Sequence, residues 1–140
     1  MGKINTGRLV VSGLIIGALT NIGYALVMAW LLLWPWKGAL ASIGRPPFWI
    51  NEVLLLLAVG FVAGFGAAWI YAGVRPRFGP GPRTALYVGL ATWFIGHIPA
   101  FGFCIALGLP ADVMSMTAGL GLVISILATL AGTALYREEG

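Results

Sequence analysis

Charge is what this 140-residue chain has least of: nine per cent of its residues are charged and 60% are apolar. A soluble domain covers itself with about 25% charged residues. A chain this poor in charge cannot solvate its surface, so that surface faces lipid. Cysteine and histidine each occur once, as Cys104 and His97. One cysteine closes no internal disulfide and says nothing about redox compartment. His97 and Cys104 share a helix face, and Met114 and Met116 follow them, but without a CxxC or a methionine-rich run no metal site is expected. Acidic residues are missing from the interior of every apolar run, Glu52 at a rim being the nearest. A proton-coupled pump normally needs one deep in the membrane. No HExxH, Ser/His/Asp arrangement, phosphate loop or carboxylate pair occurs, and "GFG" at 64–66 falls mid-helix, where it cannot cradle a phosphate. The chain is therefore not expected to be an enzyme. Nucleic acid is not expected as a partner either: the formal charge is +4, and the few basic residues lie at segment ends and form no face.

What is present is apolar length. Four runs, about 9–33, 50–74, 85–108 and 113–135, carry almost no charge. Each exceeds the roughly 20 residues that a helix needs to cross a bilayer. Helices are favoured because an open strand would leave backbone groups unsatisfied in lipid. The expectation is an all-α membrane protein, one four-transmembrane-helix bundle over 1–140. The first run is about twice the length of a signal-peptide core, so it reads as an anchor and not a leader.

The link "WIYAGVRPRFGPGPRTALY" at 69–87 concentrates three of the eight basic residues. With the N-terminus in the cytoplasm, the inner side carries Lys3, Arg8, Arg75, Arg77, Arg83 and Arg137, and the outer side only Lys37 and Arg45. That is the positive-inside asymmetry, so both termini are expected to be cytoplasmic, in a bacterial inner (plasma) membrane. Trp34, Trp36 and Trp49 would form an outer aromatic belt, and Tyr71, Tyr87 and Tyr136 an inner one. Pro76, Pro80 and Pro82 are expected to stop the second helix. Beyond setting topology, Arg75, Arg77 and Arg83 are candidates for contact with lipid headgroups or an acidic partner. In the outer link "KGALASIG" is expected to form a short interfacial helix, ended by Gly44 and Pro46–Pro47. Asp112 falls near the start of the fourth helix, where the dipole favours an anion.

Each run also carries small residues at helical spacing: Gly13 and Gly17; Gly60 and Gly64; Ala85, Gly89, Thr92 and Gly96; Ala118, Gly121, Ser125, Ala128 and Gly132. Such stripes let helices approach closely in lipid, within the chain or between copies. A faint repeat aligns "GLIIGALTNIG" with "GLATWFIGHIP", matching Gly13 to Gly89 and Asn21 to His97, and the two halves close on Tyr71 and Tyr136. Asn21 and His97 then fall near mid-bilayer, where polar groups are costly and mark function by default. The plain alternative is an interhelical hydrogen bond for Asn21. For His97 it is a neutral ring bonded to Asn21 or to a carbonyl, such as that of Ile95, which Pro99 frees. The sharper alternatives for His97 are a proton relay or a ligand to haem, a chlorophyll-type pigment or a metal.

The start "INTGR", the "NIG" at 21–23 and above all "WIYAGVRPRFGPGPRTA" at 69–85 resemble a family of small bacterial four-helix integral membrane proteins. The resemblance runs from Ile4 to about Glu138 and implies an integral bacterial membrane protein. It carries no activity and no ligand residue. The function expected is that of a non-enzymatic accessory or scaffold subunit packed against other membrane proteins, beside a photosynthetic or respiratory complex in one version. The alternatives are a homo-oligomeric small-solute transporter or channel using Asn21 and His97, and a pigment, haem or metal binder through His97.

Overall fold

The computed structural model of the chain describes residues 4–136, and every regular element among them is helical. Helix α1 (Thr6–Val27) passes through a π-helical turn, Met28–Leu32, into α2 (Leu33–Ser42); α3 (Ile50–Phe78), α4 (Pro82–Ala106) and α5 (Ala111–Thr133) follow. The first segment is continuous over Thr6–Ser42, so four helices are long and apolar enough to cross a membrane. The result is an all-α four-helix bundle. Up-and-down order puts the start of α1, the end of α5 and the α3–α4 link at one end, here the termini end, and the α4–α5 link at the far end.

Asn5 starts α1: its Oδ1 accepts from the Arg8 backbone N at 2.9 Å, satisfying one of the helix's orphan donors. The Arg8 side chain then reaches across, and its Nη1 donates to the Leu135 carbonyl at 3.1 Å just past the end of α5. At the far end Glu52 Oε2 accepts from Trp49 N at 2.9 Å, and Glu52 Oε1 lies 2.7 Å from Arg45 Nη2 on an exposed surface. That pair contributes little to stability.

Two expected boundaries are corrected. The first helix does not end near residue 33, and "KGALASIG" is no separate interfacial helix. Pro35 lacks an N–H and crowds the preceding turn; the chain widens into the π turn just before it and continues. The extension is held by packing: Leu32, Ala39 and Leu40 are buried, and Ala39 clusters with Leu109, Val113 and Met114. Trp36 is accordingly not in an outer belt. It turns inward and its Nε1 donates to Thr117 Oγ1 at 3.0 Å. Pro76 does not stop the second spanning helix either. It sits inside the last turn of α3, where a missing N–H costs a single bond, and the helix ends at Gly79, with φ 82°.

Small residues set the distances between helices. A Cβ added to Gly64 would lie 2.7 Å from Gly17 Cα, and one on Gly17 would lie 2.9 Å from Phe61 Cα. On the other side of the bundle a Cβ on Gly89 would lie 3.0 Å from Ile126 Cα, and one on Gly132 would lie 3.0 Å from the Ser12 carbonyl. Gly13 faces Phe65, and Ala128 is buried in the main core cluster. Helices α1 and α3 thus form one tight hairpin and α4 and α5 a second, joined along α1 and α5. Helices α3 and α4 meet at the termini end, where Ala67, Ala68 and Tyr71 share a cluster with Ala85 and Val88. The buried residues of α4 stop at Gly89.

Gly96 departs from the expected packing stripe: nothing lies within 4 Å of a Cβ placed there. Its neighbours in the stripe, Ala85 and Gly89, are buried, whereas beyond Thr92 the contact of α4 with α5 is made by Trp93 and His97 and Gly96 is exposed.

Gly64→Ala is expected to destabilise the fold by about 1–3 kcal/mol, because the contact it violates is backbone and no rotamer relieves it. Gly96→Ala is expected to leave stability unchanged or slightly raised. Unfolding titrations in mixed micelles compare the two directly; equal effects would mean that α1 and α3 do not touch through Gly64.

Candidate functional site

The polar residues expected near mid-bilayer are hosted by glycine gaps. Asn21 on α1 points at α3, and its Nδ2 donates to the Leu57 carbonyl at 3.1 Å. The space for its amide exists because residue 60 is glycine: a Cβ there would lie 2.7 Å from Asn21 Cγ. Leu57 already serves the α3 ladder, so the amide takes the second lone pair of its oxygen.

His97 on α4 does not bond Asn21. Its Nε2 meets the Tyr24 hydroxyl, and its Nδ1 lies 3.2 Å from the Trp93 carbonyl one turn earlier on α4. The carbonyl of Ile95, freed by Pro99, is not the partner. A carbonyl only accepts, so Nδ1 carries the hydrogen in the neutral ring and Nε2 accepts from Tyr24. The bond links α1 to α4 across α5 at Gly121, where a Cβ would lie 3.0 Å from His97 Cδ2. Trp93 stacks on the imidazole, with centroids 6.0 Å apart and planes at 21°, and its own Nε1 donates to the Ala118 carbonyl at 2.8 Å. Tyr24 lies nearly parallel to the imidazole on another side, at 6.1 Å.

Sequence reasoning placed Asn21 and His97 as a pair and missed Tyr24 and Trp93. The available signal was spacing: Tyr24 follows Asn21 by three residues and Trp93 precedes His97 by four, so each pair shares a helix face.

Below this level α5 continues a polar stripe at four-residue spacing. Ser125 Oγ donates to the Gly89 carbonyl at 2.9 Å and lies 3.2 Å from Thr92 Oγ1. Thr133 Oγ1 donates to the Thr129 carbonyl at 2.7 Å. Thr129 and Ser12 are 0% and 1% exposed, and neither hydroxyl has a hydrogen-bond partner among the described residues. Single hydroxyls are the cheapest polar groups to leave so.

The arginines of the α3–α4 link stand apart from these residues. Arg75 and Arg77 lie in the last turn of α3, and the Arg75 guanidinium sits 5.7 Å from the Tyr136 ring centre. Arg83 Nε donates to Tyr87 Oη at 3.1 Å. Cys104, like Phe101, packs against the cluster of Ala39, Leu109, Val113 and Met114. Among the described residues no group of three or more His, Cys, Asp and Glu side chains could hold a metal.

No family model, no curated protein and no solved structure matches this chain.

Chemically the cluster can clamp helices. Both imidazole nitrogens of His97 are engaged, so ligation of a haem or pigment would first displace Tyr24. A double-mutant cycle on stability reads the clamp. Tyr24→Phe and His97→Ala are expected to couple by about 1 kcal/mol, the ordinary net value of a buried hydrogen bond. Asn21→Ala and His97→Ala, which share no partner, are expected to add. Coupling in the second pair and none in the first would reverse the assignment of partners.

Proposed function

We propose that this chain is a non-enzymatic accessory subunit of a bacterial plasma membrane, packed against other membrane proteins through the outer face of α3. The observation that supports it is glycine on the outside. Gly66 and Gly73 lie seven residues apart on one face of α3, are exposed, and have nothing within 4 Å of an added Cβ. Val62 and Trp69 flank them at 72% and 63% exposure. Lipid tails gain nothing from glycine, whereas a neighbouring helix gains close approach and dispersion contact. Large side chains beside small ones give such a face relief, with Trp69 as a ridge and the glycines as gaps. The Gly13, Gly17, Gly60 and Gly64 stripes are used up within the chain; single open glycines also occur on α4 and α5, but on α3 two of them are spaced by two helical turns and flanked by large exposed side chains.

The transporter alternative draws less support from the same geometry. Asn21 and His97 are spent on bonds between helices, and neither lines the depression beside Tyr71 and Arg75 or the one beside Leu90 and Trp93. The pigment alternative needs a free ring nitrogen on His97.

Gly66→Leu and Gly73→Leu should leave the fold intact, since nothing occupies the space they enter. They should release the protein from a larger assembly in gently solubilised native membrane. Native electrophoresis with mass spectrometry of the co-migrating chains measures this. Migration alone, at the same size for wild type and both variants, would sink the proposal.

A further inference from the structure

We infer that Tyr24 is a one-electron redox site: it gives an electron to an outside oxidant and, in the same step, its hydroxyl proton to His97. The hydrogen bond from the Tyr24 hydroxyl to His97 Nε2 joins α1 to α4 inside the bundle. A phenol that loses an electron alone becomes a very strong acid, and an unpaired charge is costly away from water. A positioned base removes that difficulty by taking the proton as the electron leaves.

His97 is set up as such a base. Its Nδ1 lies 3.2 Å from the Trp93 carbonyl, which only accepts. The ring hydrogen therefore stays on Nδ1, and the Nε2 lone pair stays turned to Tyr24. The step balances within the pair. The O–H bond of Tyr24 breaks, an N–H bond forms at Nε2, and one electron passes to the oxidant. A neutral phenoxyl radical is left beside an imidazolium. That imidazolium donates to the Trp93 carbonyl through Nδ1 and to the radical oxygen through Nε2, so both its hydrogens are bonded. Return of one electron sends the proton back. His97 is the chain's single histidine, so no other tyrosine has such a base. Tyr71 Oη accepts from the Gly81 N, and Tyr87 Oη accepts from Arg83 Nε.

Aromatic rings lead from this pair to the surface. Tyr24 and His97 lie nearly parallel, 6.1 Å between centres, and Trp93 stacks on His97 at 6.0 Å. Trp93 also lines an open depression on α4 with Leu90, Ala91, Phe94 and Ile95. Its Nε1 donates to the Ala118 carbonyl at 2.8 Å. A carbonyl is too weak a base to take the indole proton. An oxidised Trp93 therefore keeps its proton and draws an electron from Tyr24, whose own proton has a base to go to. Trp93 is the entry point and Tyr24 the place where the radical rests. The oxidant is a high-potential one-electron acceptor of the porphyrin cation-radical class, held by a neighbouring protein. Neither Tyr24 nor His97 belongs to the α3 face proposed for a partner, so the two proposals fail separately.

The test uses full-length protein in nanodiscs, flash-oxidised by a membrane-soluble ruthenium tris-bipyridyl dye with a cobalt(III) ammine as irreversible electron acceptor. Electron paramagnetic resonance identifies the radical, and transient absorbance times its formation. Wild type should give a neutral tyrosyl signal that Tyr24→Phe lacks, although Tyr71, Tyr87 and Tyr136 remain in that variant. His97→Gln keeps an acceptor for the hydroxyl but no base. It should slow formation of the signal about a hundredfold, the lower end of what a positioned base contributes. Wild type should also slow in deuterium oxide, which a merely structural hydrogen bond would not cause. Trp93→Phe should delay the signal and keep its identity. The same tyrosyl yield in wild type and Tyr24→Phe would overturn the site. So would a signal that forms as fast in His97→Gln, and that comparison carries the test if Tyr24→Phe fails to fold. An unchanged rate in Trp93→Phe would overturn the entry route.

Discussion

The contact of Gly64 with the Gly13–Gly17 backbone is the constraint from which the rest of the structure follows. In lipid no hydrophobic effect presses helices together, so separation is set by the atoms that refuse to overlap. With no side chain on any of the three glycines, α1 and α3 approach until backbone meets backbone. Only at that separation does the Asn21 amide reach the Leu57 carbonyl, in the gap that Gly60 leaves. Gly121 opens the equivalent gap in α5, and the Tyr24–His97 bond passes over it. Packing comes first in this bundle, and the hydrogen bonds of Asn21 and His97 each occupy a hole that packing provides.

The same logic explains why the molecule is two hairpins and not an even ring. Helices α1 and α3 close on glycine, and so do α4 and α5 at Gly89. The weak sequence repeat matched Gly13 to Gly89 and Tyr71 to Tyr136. The two tyrosines meet edge to face at the termini end, each at or near the close of its hairpin. The match of Asn21 to His97 has no such counterpart in space, because one bonds within its own hairpin and the other bonds across to the opposite one. The extension through α2 also belongs to the first hairpin alone.

The four spanning helices were legible because length and apolarity decide them almost without context. The proline positions were not. Proline removes one N–H wherever it sits, and the cost depends on whether that hydrogen bond was available to lose. At Pro35 a π turn absorbs the defect, and at Pro76 the helix is about to end. Sequence shows the residue but not the slack around it. Tyr24 was passed over for a related reason. Tyrosine in a membrane protein is read as an interface residue, and its burial beside His97 depends on Gly121, a glycine on a different helix. Gly96 was misplaced because a stripe extrapolated along α4 assumes that small residues keep making the contact with α5, whereas beyond Thr92 the rings of Trp93 and His97 make it and Gly96 is exposed.

Most of what is polar inside this bundle is spent on holding it. His97 has no nitrogen left over, Asn21 donates its amide, and Ser125 and Thr133 bond backbone carbonyls. Apart from the Ser12 and Thr129 hydroxyls, the interior is engaged by its own helices and has little reserve for a passenger that must be bound and released. Specific recognition, on the proposed reading, then falls to the outside, where glycine faces outward on α3 at positions for which a folding argument alone would accept any apolar residue. That face is a surface for a neighbouring helix, which gains from close approach what a lipid tail does not.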